Sequence, residues 1–295
     1  METKSTFAST ETRAFIVSVF LVSIGFFVPL EELYFFASNS NLYSHTIIIP
    51  FASIVFIFLE EKDTPLKPAL PSWSGIIPLG LGVCLLYLFL TGGYSTEPQF
   101  VEDYLAISVG AFVFLVIAAA LFTLDTKTAS KHSFSLIFLF FMIPMPIAMR
   151  QWVEEALQYA SADAAEMIFA LSSTPLYRDG LIFNLPGLAL EVAPQCSGIH
   201  SSLVLFIVSI AATKLFLKSW WKRILLVGFI IPLAVIRNGF RVFVLGELAV
   251  RYDPAILHSW LHKKGGPIFF ALSLIPLFIL LFVLYRSEYK KKLQP

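Results

Sequence analysis

The sequence predicts an all-α polytopic membrane protein: about eight transmembrane helices, with a periplasmic (extracytoplasmic) amphipathic helix and a short hairpin before the sixth span. Three observations lead there. Of the 295 residues 57% are hydrophobic and only 14% charged, against about 25% charged in soluble domains. The mean hydropathy is +0.79. Apolar runs approaching or exceeding the roughly 20 residues that cross a bilayer recur along the whole chain, separated by polar segments whose basic content alternates.

The runs fall at 14–30, 45–59, 75–91, 104–124, 134–149, 198–217, 224–250 and 267–285. The first follows Lys4 and Arg13 with no small-residue cleavage site after it, so a retained first helix is expected rather than a cleaved signal peptide. With the N-terminus inside, the cytoplasmic Lys and Arg are 4, 13, 62, 67, 127, 131, 214, 218, 222, 223, 286, 290, 291 and 292, fourteen of the 21 in the chain. That excess satisfies the positive-inside rule and places both termini in the cytoplasm, as an even number of spans requires. No internal repeat or low-complexity tract interrupts the pattern, so residues 1–295 are expected to form a single domain in the cytoplasmic (inner) membrane. A net charge of +1 gives no ground for a nucleic-acid partner; the lipid bilayer is the partner that composition demands.

The same orientation puts 150–195 outside. Val153, Leu157, Ala160, Ala164, Met167, Ile168 and Leu171 recur at helical spacing, with Glu154, Glu155, Asp163 and Glu166 on other faces, the pattern of a helix lying on a membrane surface. Tyr177-Arg178-Asp179-Gly180 reads as a turn. Two short apolar runs then flank Asn184-Leu185-Pro186-Gly187, which predicts a hairpin leading straight to Cys196.

Two cysteines make a disulfide framework improbable. Cys84 lies mid-span and is expected to be a small, buried, inert thiol. Cys196 stands at the mouth of the sixth span in Val192-Ala193-Pro194-Gln195-Cys196-Ser197-Gly198-Ile199-His200, with a helix expected from Ser197 or Gly198. Free N–H groups at such a helix start lower a thiol pKa and favour the thiolate. They could also hold an oxyanion. A structural cysteine packed at a helix start fits the position equally well.

Arg241 lies late in the seventh span, one turn from Arg237 and near Asn238. Arginine is costly in a membrane, about 2.5–3.5 kcal/mol at a helix centre on insertion scales, so each is a functional candidate. Snorkelling to headgroups is the alternative and suits Arg251 better than Arg241. A guanidinium is no base, but its planar fork fits a developing oxyanion or a substrate carbonyl. His258 and His262 share a helix face if 254–263 is helical, yet no acidic or further thiol ligand stands at metal spacing. No metal and no cofactor are expected, and an acid–base role is the better use of an imidazole there. His200 and His45 sit at the outer ends of their spans. His132, on the inner side, is expected to be incidental. Cys196, Arg241 and His262 thus converge on one outer site: nucleophile, oxyanion donor, proton shuttle. Arg237, Asn238, Ser197 and His258 are the candidates for binding substrate or supporting that trio.

These motifs resemble those of the exosortase/archaeosortase family of membrane transpeptidases. Cys196-Ser197-Gly198-Ile199 resembles the family's cysteine motif, Asn238-Gly239-Phe240-Arg241-Val242 its arginine motif, and His262 with Gly266 and Phe270 its histidine motif in exosortases. Tyr43-Ser44-His45 and Met142-Ile143-Pro144-Met145-Pro146 also look like family segments, so the likeness runs from about His45 to Phe270. The resemblance implies a cysteine protease/transpeptidase acting on membrane-anchored secreted proteins that end in a short motif, a transmembrane helix and a basic tail, of the PEP-CTERM type. Cys196 would attack, Arg241 would stabilise the oxyanion, His262 would protonate the leaving amine, and the acyl group would pass to an unknown acceptor. Two other readings compete. A transporter would use Arg237 and Arg241 as an intramembrane binding pair and calls for an inverted repeat, whereas a non-catalytic export partner would tolerate loss of Cys196.

Overall fold

Proline spacing, as much as hydrophobicity, decides where the helices break. In the computed structural model the described residues are 10–61, 73–94, 96–97, 99–124, 126–172, 174–194, 197–258 and 265–290. Lys4, Lys62, Lys67, Cys196, His262, Lys263, Lys264, Lys291 and Lys292 lie outside them, as does the side chain of His258. The chain divides into two compact units, Met1–Met149 and Arg150–Pro295.

In the first unit α1 (Thr10–Gly25) and α2 (Phe27–Asn39) meet at a 74° bend. Pro29 has no N–H to donate to the Gly25 carbonyl four residues back, so the ladder breaks there. The run expected as a single first span is therefore two helices. A 3₁₀ turn (Ser44–Ile47) leads into α3 (Ile49–Glu61), and another (Trp73–Gly75) into α4 (Ile76–Thr91). Helix α5 (Val101–Thr123) is the buried centre of this unit, with short α6 (Thr126–Lys131), α7 (Ser133–Phe138) and a 3₁₀ turn (Leu139–Met142) following it. Against α5, helix α4 presents Gly82, where an added β-carbon would lie 2.9 Å from Leu115 Cγ. That close approach turns the opposite face of α4 outward, and Cys84 with it: the thiol is exposed, not buried as its mid-span position implied.

His132 also departs from expectation. It is 2% exposed, its Nδ1 3.0 Å from Glu60 Oε2, and Ser135 Oγ donates to the same oxygen at 3.2 Å. A carboxylate and an imidazole buried in contact tie the end of α3 to the α6–α7 corner, so this histidine is a structural partner, not an incidental one.

The second unit is built on α8 (Ile147–Phe169), which follows the helix-breaking Pro144 and Pro146. Its inward stripe is Gln158, Ser161, Ala162, Ala165 and Phe169, while Met167 and Leu171 are 71% and 90% exposed. The face packed on the fold thus combines small residues, which allow backbone to approach backbone, with the large ring of Phe169. Strands β1 (Tyr177–Asp179), β2 (Ile182–Leu185) and β3 (Leu188–Glu191) form an antiparallel sheet in that order, with Phe183 opposite both Arg178 and Leu190. The segment read as a turn at Tyr177 is therefore a strand, and the tight turns fall at Gly180 (φ 59°) and Gly187 (φ 81°). Arg178 fixes the sheet to α8 by donating to Asp163 Oδ1 and Glu166 Oε2, both at 2.7 Å, and to the Gly180 carbonyl at 2.7 Å. Burial draws its pKa down, but those acceptors and carboxylate charges outweigh it and hold the guanidinium above its ordinary value.

Helices α9 (Ile199–Phe216), α10 (Trp220–Gly228), α11 (Ile230–Arg251) and α12 (Gly266–Lys290) complete the unit, with a 3₁₀ turn (Pro254–His258) after α11. Leu205, Leu226, Leu233 and Leu277 are among the residues of their shared core. At one end of this bundle Glu288 accepts from Lys218 N, Ser219 N and Ser219 Oγ, and Lys222 Nζ donates to Ser287 Oγ at 2.8 Å. Among the described residues five helices are long and apolar enough to cross a membrane, or up to seven if two bent pairs each count as one span; Ile49–Glu60 is apolar but shorter. The chain is a polytopic, mostly helical membrane protein, with five to seven candidate spans where about eight were expected.

Candidate active site

Length places the centre of α11 chemically. Trp220–Arg251 counts as one span of 32 residues, about 48 Å at 1.5 Å per residue, whereas the hydrocarbon core is about 30 Å. The excess corresponds to some 12 residues, taken up by tilt, by a kink or by projection beyond the core. The exposed Trp220 and Trp221 suit a headgroup boundary, and about 20 residues on from them the helix reaches Arg237, Asn238 and Arg241. The C-terminal half of α11 is clad by the sheet and α8: Val242 joins Phe169, Phe183, Leu185 and Leu190 in a buried cluster. Two glycines make the fit possible. A β-carbon on Gly239 would lie 2.7 Å from Ala164 Cβ and 2.9 Å from Ala165 N, and one on Gly246 would lie 2.7 Å from Phe169 Cζ.

The chain arrives at the same level from the sheet. Val192 N donates to the Leu181 carbonyl at 2.9 Å, and Gln158 Nε2, buried in α8, donates to the Val192 carbonyl at 2.8 Å. Ser197, 2% exposed, donates its N–H to Pro194 O at 3.0 Å. Gly198 then turns into the left-handed region (φ 77°, ψ 11°) and caps α9, which begins at Ile199, a residue or two later than expected. A side chain at Gly198 has no room: its β-carbon would sit 3.0 Å from Arg237 Nη2 and 3.1 Å from Asn238 Oδ1.

So the structure joins Gly198 to Arg237 and Asn238. Arg237 Nη2 lies 3.3 Å from both Gly198 O and Ser202 Oγ; Ser202 Oγ and N also donate to Gly198 O, at 2.8 and 3.0 Å. Arg241 follows one turn along α11, half-buried. The segment that carries His262 is bounded by described elements: Pro254–His258 packs on α11, and Phe269 in the first turn of α12 has its ring 6.5 Å from that of Phe240. Gly198 and Ser202 were not expected to take part. A glycine directly after Cys196-Ser197 was the available signal for the first; the second needed the helix register that only the cap defines. In the first unit the two other family-like segments meet, with Tyr43 Oη donating to the Met145 carbonyl at 3.4 Å across 102 residues.

A sequence model of the transmembrane exosortase family (Exosortase_EpsH) matches residues 37–279. The chain belongs to the transmembrane exosortase family. The matched stretch contains all three motifs and reaches from α2 into α12. Neither the curated proteins nor the solved structures give a match to the chain.

Proposed function

We propose that this exosortase-family protein is an intramembrane cysteine protease/transpeptidase that processes secreted proteins at the extracytoplasmic face. Its substrates are membrane-anchored proteins ending in a motif, a transmembrane helix and a basic tail. The observation that carries this reading is the packing of Gly198, two residues after Cys196 in the sequence, against the arginine-bearing turn of α11. Family membership supports the reaction class.

In this account the Cys196 thiolate attacks the scissile carbonyl carbon, and the C–O electron pair moves to oxygen. Arg241, with N–H groups of the first turn of α9, stabilises that oxyanion. The oxyanion collapses, the C–N bond breaks, and His262 gives its proton to the departing amine, which leaves with the substrate's transmembrane helix. The thioester on Cys196 is then resolved by an acceptor amine, whose proton returns to His262, regenerating thiolate and imidazolium. Helix α8 and the sheet hold the lead-in to Cys196 through Gln158 and Val192, so the nucleophile is supplied by a braced segment.

The test is Cys196→Ala in cells producing a tailed substrate. Immunoblots should show the full-length precursor accumulating while the variant remains in the membrane at normal level. Normal processing by that variant would overturn the reading.

A further inference from the structure

The first unit encloses a cavity of about 530 Å³ between α1, α3, α5 and α7. Its walls are almost wholly apolar, Phe15, Val19, Ile57, Val116 and Leu136 among them, with the hydroxyls of Ser23, Ser53 and Ser135 as exceptions. Ile16, Phe20 and Ile54 also line it and are exposed, so it opens sideways, toward the hydrocarbon of a bilayer. The cavity has a direction. Glu60, one turn beyond Ile57, accepts from His132 and from Ser135, which makes the end at Ile57 and Ser135 polar. Pro50 and Met142 lie at the opposite, apolar end. The stretch of α3 from Pro50 to Ile57 covers about 10 Å.

Polar groups gather at the first of these ends without partners. His132 Nε2 and Lys131 Nζ are buried with no hydrogen-bond partner among the described residues, and so is Ser53 Oγ in the cavity wall. His132 N donates to Thr128 O at 3.0 Å and Leu136 N to His132 O at 3.1 Å, so the helical turn continues from α6 into α7. Lys131 and His132 therefore stand one turn before Ser135 and Leu136, on the face that lines the cavity. Phe15 packs on the cluster of Leu124, Ala129 and Leu136. That contact brings the start of α1 to the same end, with exposed Arg13 two residues earlier. A buried ammonium without a counter-ion is costly, and Glu60 is already the acceptor for His132 and Ser135.

Size and polarity together select the occupant. A helix is about 10–12 Å across, so this volume would hold only about 7 Å of one. An acyl chain is thin enough to enter from the open side. Cations at the polar end call for an anionic head on that chain. Charge placement puts Lys131 on the cytoplasmic side, where anionic lipids attract basic residues.

We infer that the first unit binds one anionic phospholipid of the inner leaflet, with an acyl chain in the cavity, its phosphate at Lys131 and Arg13, and Ser53 Oγ donating to an ester oxygen. This site involves neither Cys196 nor the arginine-bearing turn of α11, and it does not depend on the protease reading.

The experiment uses the full-length protein, delipidated in a neutral detergent, with phosphatidylglycerol added back and bound lipid counted by native mass spectrometry. One lipid should be retained per chain, and it should raise the melting temperature. Lys131→Gln should weaken retention about 10-fold or more, the range of a hydrogen bond to a charged group. Ser53→Phe, which fills the cavity, should remove the bound lipid and its effect on melting. Gel filtration checks that both variants fold. A photoactivatable phosphatidylglycerol, added at one equivalent to the unaltered protein, places the chain independently of any variant. Its adducts should fall on peptides of α1 and α3 that carry Phe15–Ser23 and Ser53–Ile57. Adducts spread evenly over all the exposed apolar helices would overturn the site. Equal retention of phosphatidylcholine, or retention unchanged in Lys131→Gln, would overturn the headgroup assignment and with it the proposal. Glycerol phosphate without acyl chains is the remaining arm: stabilisation equal to that by the lipid would assign the cations to a free phosphate and also contradict a lipid site.

Discussion

At the scale of single residues, the account turns on what stands within a few ångströms of Gly198. Its φ of 77° is a conformation that costs a residue with a β-carbon about 1–2 kcal/mol, and that carbon would meet Arg237 and Asn238 at 3.0–3.1 Å. Gly198→Ala should therefore lower thermal stability by a few degrees and reduce processing at least tenfold, since the strain falls two residues from Cys196. Wild-type processing by that variant would mean the cap has no part in placing the nucleophile. Arg241→Lys should fail nearly as badly as Arg241→Ala, because an ammonium lacks the planar fork; substrate immunoblots on both variants measure this. His262→Ala should slow turnover by about 10²–10⁴-fold, the usual contribution of an acid–base group, with His258→Ala much milder. A dead His258 variant beside an active His262 variant would reverse that assignment. Cys84→Ala should be silent, its thiol facing outward from α4.

At the scale of elements, the second unit depends on close helix approach. Gly239 brings the backbone of α8 against α11, and an added methyl would lie 2.7–2.9 Å from Ala164 and Ala165. Overpacking of that kind costs about 1–3 kcal/mol. Gly239→Leu should accordingly lower the melting temperature in detergent and reduce processing together, while leaving membrane insertion intact. An unchanged melting temperature would show that the two helices are not held this close. The same contact explains why α8 was only half legible in its sequence. Its helicity follows from periodicity, but apolar spacing marks only the face expected to lie on a membrane, where Met167 and Leu171 are exposed; the face packed on the fold sets Ser161, Ala162 and Ala165 beside Phe169. Small residues carry little hydrophobic signal, so the inward face could not be read from apolar spacing. The third strand was hidden for a related reason: Tyr177-Arg178-Asp179 has no apolar alternation, and its pairing is fixed by long-range register with β2 and by the reach of Arg178 to α8.

At the scale of the whole molecule, membrane class, helical architecture and the order of the three motifs were legible because each depends on composition or local spacing. The number of spans was less so. A bilayer-length apolar run does not reveal that Pro29 will break α1 from α2, or that the C-terminal half of α11 will pack on the sheet. Buried pairs such as Glu60–His132, 72 residues apart, leave no local trace at all. Charge placement leads us to expect both termini in the cytoplasm, with 150–195 outside. Reporters fused after Lys127 and within 150–195 should be active in opposite compartments, and a cytoplasmic signal from the second would place the site on the wrong face for secreted substrates. The central claim, covalent catalysis by Cys196, is tested most directly by acid-quenching the full-length protein with a tailed substrate and mapping thioesters by mass spectrometry. The account predicts a hydroxylamine-sensitive acyl adduct on Cys196 and none on Cys84; substrate cleavage with no adduct at Cys196, or persisting in Cys196→Ala, would contradict it.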